Sequence, residues 1–496
     1  MSDSLIANCS ILLAWLFIGG LNKPIRCAAL KTYLAGGRVR LRFVSFTGLL
    51  QSDAVVKNVQ RLQYHTNEKM GKRDMFHVRL RIGLLNHVGC VIVMLCGSFS
   101  ILAQPLLAQS DWTQWRGPAR DAMVDHPWPD SVSEDVLVEE RSIPLKPSYS
   151  GPIVVGDRVF VTETVDKSDE VVTAFEVSTG RKVWSTAWKG AMAVPFFAAA
   201  NGSWIRATPA FDEGRLYVAG IKDVLVCLDA ENGDTVWKRD FPNETESAVP
   251  TFGYVSSPLI EGEFLFVQAG GGLQKLDKRT GKTIWKVLDD GGGMNGSAFS
   301  SPYLATIAGS KQLLVQTRTT LHGVDPAEGT ILWSQDIPAF RGMNILTPTV
   351  IDDNVFASTF GGTTQLLSVK SEDDKFQVQQ KWNVGLQGYM TTPVVIDGFA
   401  YWRLKNQRFA CINLETGKVA WRSKPFGKYA SLVASRDKIL ALDETGTLML
   451  LRANPKEFEL LDKRKVGDNT WAHLAVTSDR VFVRDLQKLI VYRWKQ

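Results

Sequence analysis

The chain has 496 residues, with 57 Lys and Arg against 51 Asp and Glu and a net charge of +6. The charge is unevenly placed: residues 1–109 hold 13 basic and 4 acidic residues, which leaves the remainder near −3. The basic isoelectric point therefore belongs to the N-terminal piece and is no argument for a nucleic-acid partner.

In chain order, Ile6 to Gly20 is an apolar run of about 15 residues, short for a membrane span. A second pattern starts later. Met75-Phe-His-Val-Arg79-Leu-Arg81 is basic, Val88 to Ala103 is apolar, and Leu106-Leu-Ala108-Gln109 offers a small residue for cleavage. That order is the pattern of a secretory signal. Residues 1–74 read as an over-extended N-terminus, 75–109 as the signal, and 110–496 as one exported domain without a membrane span, expected to be monomeric. Cleavage would leave Cys227 and Cys411 of the six cysteines. They occupy the same position in different repeats, so they are expected too far apart for a disulfide and buried as small hydrophobes. Further on, Asp135-Val-Leu-Val-Glu-Glu-Arg-Ser-Ile-Pro144 stands before the first repeat and reads as a lone strand.

From residue 150 a phrase recurs. A Pro opens it, alternating apolar residues and a polar or Gly break follow, and a β-branched or aromatic run ends it: a strand, a tight turn and a second strand. Eight copies are anchored at Pro152, Pro209, Pro258, Pro302, Pro348, Pro393, Leu432 and Leu474. A second phrase completes five of them: Gly180 to Trp184, Gly233 to Trp237, Gly281 to Trp285, Gly329 to Trp333 and Gly417 to Trp421. Its short polar residue (Asp229, Asp277, Asp325, Asn413) starts a turn, and its glycine supplies the positive φ of a hairpin bulge. The tryptophan is expected to wedge between neighbouring units. The fifth copy has lost the Gly but keeps Trp382; the seventh, at Arg452-Ala-Asn-Pro-Lys-Glu-Phe458, keeps neither. The eighth stops at Val491-Tyr-Arg-Trp494, one strand short.

Four short strands per interval of about 40–50 residues define a propeller blade. The expected fold is all-β: an eight-bladed propeller of four-stranded antiparallel blades, closed by strand 135–144. The phrase resembles the pyrroloquinoline-quinone (PQQ) type propeller repeat, over residues 150–494. The opening Asp111-Trp112-Thr-Gln-Trp115-Arg116-Gly117-Pro118-x-Arg120 is similar to the start of secreted bacterial members of that superfamily. The resemblance implies the fold. It does not imply the cofactor, because the superfamily holds both quinoprotein alcohol dehydrogenases and non-enzymatic propellers such as the outer-membrane assembly lipoprotein.

Chemistry is expected in the loops joining one blade's outermost strand to the next blade's innermost strand, which ring one mouth of the channel. Arg206 and Arg341 can bind carboxylates, Asn344 sits beside Arg341, and Trp471 can stack on a flat ring. Asp289, Asp290 and Asn295 are oxygen donors of the kind calcium prefers. Together they would suit PQQ with calcium. The competing reading is that polar residues simply populate loops. Thr280-Gly281-Lys282-Thr283 imitates a phosphate loop but lacks its first glycine and belongs to a blade turn. Of His126, His322 and His473, only His473 is placed to face the axis. The adjacent cysteine pair often found under the quinone is absent, as is any Cys-x-x-Cys-His haem signature. The apolar stretch Ala191 to Ala200 would either dock a partner, cap the channel or pack on the ring.

The leading expectation is a binding or scaffold protein of the cell envelope, meeting an envelope protein or a small ligand at the channel mouth. The alternative is a PQQ- and calcium-dependent quinoprotein dehydrogenase oxidising an alcohol or sugar.

Overall fold

The computed structural model describes residues 27–35, 38–46, 111–373 and 375–495. Residues 1–104 and 105–496 form two separate units. In the first, Cys27–Ala35 and Arg38–Phe46 pair as an antiparallel hairpin. The expected signal at 75–109 lies outside the described residues. Among the described residues no helix is long and apolar enough to cross a membrane.

The second unit is the propeller, with eight antiparallel sheets in chain order. The first blade takes Ile153–Val155, Arg158–Val165, Asp169–Glu176 and Lys182–Lys189. The second begins at Ala210 and the third at Leu259. The next four start at Tyr303, Thr349, Val394 and Ala430. The eighth supplies only Ala475–Val476, Arg480–Arg484 and Lys488–Trp494; its outer strand is Leu137–Pro144, running from Leu137 opposite Trp494 to Pro144 opposite Lys488. The N-terminal clasp is thus present. The seventh blade carries an added inner strand, Met123–Val124, parallel to Ala434–Ser435.

Second and third strands are largely buried, as in Val224–Asp229, where only Asp229 is half-exposed. Their apolar faces pack blade on blade, and that burial is the main stabilising term. Cys227 and Cys411 are unpaired and fully buried, opposite Trp237 and Trp421 in the ladder. Burial pushes both thiols up to about 12, so they stay protonated and inert.

The repeated phrase has a mechanical meaning. Asp229, Asp277 and Asp325 each accept from the backbone N–H two residues on, at 3.0, 3.1 and 2.9 Å, and Asn413 from the one three residues on, at 2.8 Å. A bulge follows the residue opposite each tryptophan, as between Cys227 and Leu228. Trp184, Trp237, Trp285 and Trp382 then lean on the glycine of the next blade. A Cβ on Gly233 would sit 2.6 Å from Trp184, and one on Gly281 2.8 Å from Trp237. The indole N–H donates to a carbonyl in the same turn: Trp184 to Ala230 at 3.0 Å, Trp237 to Lys278 at 3.1 Å, Trp382 to Leu414 at 2.8 Å. Buried indoles need such a partner.

The worn copies follow from the same geometry. The fifth blade has no receiving glycine, so Trp333 of the fourth folds back over its own Gly323 and donates to Gln312 at 2.7 Å. In the eighth blade the wedge position falls on Arg141 of the clasp strand, opposite Val491. Its guanidinium donates to the Val177 carbonyl at 2.9 Å, as the tryptophans do elsewhere. In the seventh it falls on Asp462, which accepts from Ser131 Oγ at 2.6 Å and Val132 N–H at 2.9 Å. There the partner is the turn before the clasp strand.

One wedge carries a charge with a pH consequence. Glu170 is fully buried and joins two blades, accepting from the Ile221 N–H at 2.7 Å and the Trp188 indole at 3.0 Å. Burial pushes its carboxyl up to about 7, against those hydrogen bonds. Between the ordinary carboxylate range and 7, the folded state therefore binds a proton that the unfolded state does not. Stability from this group falls as pH rises from 5 to 8. Urea unfolding at both pH values should show a loss on the order of 3 kcal/mol attributable to Glu170, absent in Glu170→Gln.

Candidate functional site

Alternating strand direction places the blade-to-blade connections and the second-to-third strand turns on one face. At its centre opens the axial channel. A belt of hydroxyls lines the axis, one from the Ser or Thr before the first strand of blades two to six. The Thr208 N–H donates to Ser257 Oγ at 3.0 Å, Ser257 to Ser301 at 2.9 Å, Ser301 to Thr347 at 3.1 Å and Thr347 to Thr392 at 3.2 Å. Each blade thus ties its backbone to its neighbour's side chain.

The channel is filled from within by the segment that precedes the first blade. Trp112 bridges Val154 of the first blade in both directions, at 2.7 and 3.0 Å, and the Thr113 carbonyl accepts from Phe211 of the second at 2.7 Å. Arg120 donates to the Pro258 carbonyl at 2.7 Å and Arg116 to the Thr392 and Pro393 carbonyls at 3.0 and 2.7 Å. Both arginines are buried and meet carbonyls instead of carboxylates. Desolvation lowers them to about 10 and about 9, so both remain cations at neutral pH. They flank the Trp115 ring at 5.6 and 5.4 Å. This plug was missed in the sequence. Its only signal was two arginines and two tryptophans within nine residues, a pattern that does not tell which carbonyls they reach.

The plug lines two cavities. On one side Arg116 and Arg120, with Asp121 and Tyr303, line about 210 Å³. On the mouth side Trp115 lines a cavity of about 170 Å³ with Tyr149, Arg206, Tyr429, Trp471 and His473. Trp471 stacks on Tyr429 at 5.7 Å and 8°, and tilts against Tyr149 at 5.9 Å. Arg206 lies 5.9 Å over Tyr149, with hydrogen bonds to the Gly202 and Trp204 carbonyls at 2.9 and 3.2 Å. Desolvation lowers it to about 10. His473 faces this cavity edge-on to Trp115 at 5.7 Å. Burial and the Arg116 charge push it down to about 3, so it is a neutral imidazole and no proton donor near pH 7.

Arg206 and Trp471 therefore line the same cavity. The other candidates do not join them. Arg341 is exposed, at φ 53°, with its guanidinium 5.2 Å over Phe340. Asn344 is buried, and its amide donates to the Ile337 and Arg318 carbonyls at 2.7 and 3.1 Å. Asp289 pairs with Lys286 at 2.5 Å, and Asn295 is exposed. Asp290 folds onto its own loop, accepting from the Gly292 and Ser297 N–H groups at 2.8 and 2.9 Å. The expectation of one quinone–calcium assembly from these seven residues is corrected. Asn344 is taken up by loop carbonyls, Asp289 by Lys286, and Trp471 is already stacked on Tyr429. No group of three or more His, Cys, Asp or Glu is placed to hold a metal ion among the described residues.

The same face is unusually apolar. Phe196 is 91 % exposed and Phe197 58 %, with Phe340, Met294 and Val249 also exposed. A chain of ring contacts runs inward from Phe196 through Phe197 and Phe252 to Phe299, each 5.6–6.2 Å from the next. A second joins Phe340, Phe360 and Tyr389 at 5.7 and 5.1 Å. Arg318 lies over Phe299 and Lys405 over Phe360, each at 4.3 Å.

Fold and mouth together define an eight-bladed propeller of the PQQ-repeat type. A family model described as outer membrane protein assembly factor BamB matches residues 168–423, and the chain belongs to that family. It is 25 % identical over 265 residues to the outer membrane protein assembly factor BamB of Shewanella oneidensis, across 52 % of this chain and 60 % of that protein. The same factor of Moranella endobia is 23 % identical, across 49 % and 64 %. The alignments thus span less than two thirds of either relative. Among solved structures, BamB from Moraxella catarrhalis superposes with a TM-score of 0.54 at 16 % identity, covering 73 % of this chain and 98 % of that one. The quinohemoprotein alcohol dehydrogenase of Comamonas testosteroni gives 0.54 at 13 % identity, covering 77 % and 80 %. These two likenesses bear on the fold alone.

Proposed function

We propose that the chain is an exported, envelope-located binding or scaffold protein that works through its aromatic face. The exposed phenylalanines carry this reading. Five large apolar side chains stand free on one face, Phe196 almost entirely so. Solvent exposure of that order on grouped residues marks an interaction surface. The connection packs through Ala191, Val194 and Ala198 but leaves Phe196 and most of Phe197 in solvent, which favours partner docking among its three possible roles. Family membership supports an envelope location, with export by the signal at 75–109 and the mature body at 110–496. By analogy with the named relatives, the partner is a component of an outer-membrane protein assembly machinery.

Phe196→Ser with Phe197→Ser tests it. The double variant is expected to keep its melting temperature, because both rings are solvated, and to lose at least tenfold in affinity for the purified assembly partner of its own cell. Unchanged affinity would overturn the reading. The competing class, a quinoprotein dehydrogenase, is tested by adding PQQ and calcium to the same preparation: dye-linked alcohol or sugar oxidation would establish it.

A further inference from the structure

Between the second and third blades, reaching Thr317 of the fourth and away from the axial cavities, lies a small recess of about 10 Å³. That is room for one small sphere. Its lining includes Asp223, Gln268, Asp290, Ser297 and the Gly271–Gly272 backbone. Asp223 is 2 % exposed. One of its oxygens, Oδ2, accepts from the Gly270 N–H at 2.7 Å, while Oδ1 is buried and has no hydrogen-bond partner. A buried carboxylate oxygen left unpaired is costly, and it lines a gap with a second carboxylate beside it. The Gln268 amide nitrogen is already given to the Ser300 carbonyl at 2.8 Å, which leaves its Oε1 as the free polar atom of that amide.

The nearby cations are committed elsewhere. Lys286 pairs with Asp289, and Arg318 lies over the Phe299 ring with bonds to the Gly296 and Arg341 carbonyls. Nothing positive among them reaches the Asp223 oxygen. The loop at Asp290 is held in shape by its own N–H bonds, each oxygen keeping a lone pair for a further contact.

We infer that this recess binds one calcium ion, held by Asp223 Oδ1 and the Asp290 carboxylate with Gln268 Oε1 and Ser297 Oγ beside them. Oxygen-only coordination by carboxylates, an amide carbonyl and a hydroxyl is calcium chemistry, and the ion fits a gap sized for a single water. The oxygen donors expected from the sequence thus divide: Asp290 serves, while Asp289 and Asn295 do not. The site joins two blades, so its occupation adds to ring stability whatever partner the aromatic face binds.

The test uses the whole exported domain after chelator treatment. Calcium at a hundredfold excess over its dissociation constant is expected to raise the melting temperature by about 3 °C. Terbium is expected to bind with one site per chain and to be displaced by calcium. Asp223→Asn should abolish both effects, and Asp289→Asn should leave both intact. A melting temperature indifferent to calcium, with no terbium bound to the unaltered protein, would overturn the site. So would an unaltered calcium response in Asp223→Asn.

Discussion

Deleting residues 110–145 is expected to lower the melting temperature by more than 15 °C or to leave the chain insoluble, as read by calorimetry and gel filtration. Two losses add. The eighth blade loses the strand that pairs Leu137 to Pro144 with Trp494 to Lys488, which leaves a bare edge and an unfilled ring position. The axis loses Trp112, Trp115, Arg116 and Arg120, whose bonds reach carbonyls or amides of blades one, two, three and six. Buried side chains of that size contribute about 2–5 kcal/mol each when removed. A narrower deletion of 110–122 keeps the clasp and removes the plug. It should cost less than the full deletion but more than any surface change. A narrower deletion as stable as the unaltered protein would show the plug to be inert.

The second large effect is expected from a single methyl group. Gly233→Ala should destabilise by about 3 kcal/mol or more, and Gly214→Ala by about 1 kcal/mol. Both glycines have positive φ, 82° and 76°, so the backbone strain is shared. They differ in what a Cβ meets: the Trp184 ring at 2.6 Å for Gly233, nothing within 4 Å for Gly214. The gap between the two in urea unfolding isolates the interblade wedge. If the two variants unfold alike, the glycine serves its turn alone and the wedge is not constrained by it.

The pair also shows what the sequence makes legible. Blade count, strand order, the clasp and the wedge all follow from a phrase that repeats, because every blade solves the same packing problem with the same residues. Even the worn copies were readable, down to the missing glycine opposite Trp333. Residues that occur once are not readable that way. Arg116 and Arg120 are charged, and their burial depends on carbonyls offered by blades more than a hundred residues away. Arg341 and Asn344 stand in a polar loop as a ligand pair would. Whether such a side chain serves a ligand or its own backbone depends on turn geometry, and Asn344 serves the Ile337 carbonyl. Asp223 gave no sequence signal, since a single aspartate after a strand is ordinary.

The clasp has a temporal side. Leu137–Pro144 is among the first folded segments to be synthesised, and its partner Lys488–Trp494 is the last. The ring therefore stays open until Lys488–Trp494 has been made. During that interval an amphipathic strand waits unpaired while seven blades assemble beside it. Pairing across nearly the whole chain makes closure slow, and an unguarded strand edge invites wrong partners. Refolding is therefore expected to end in a late kinetic phase, and a chaperone would find its binding site at Leu137–Pro144.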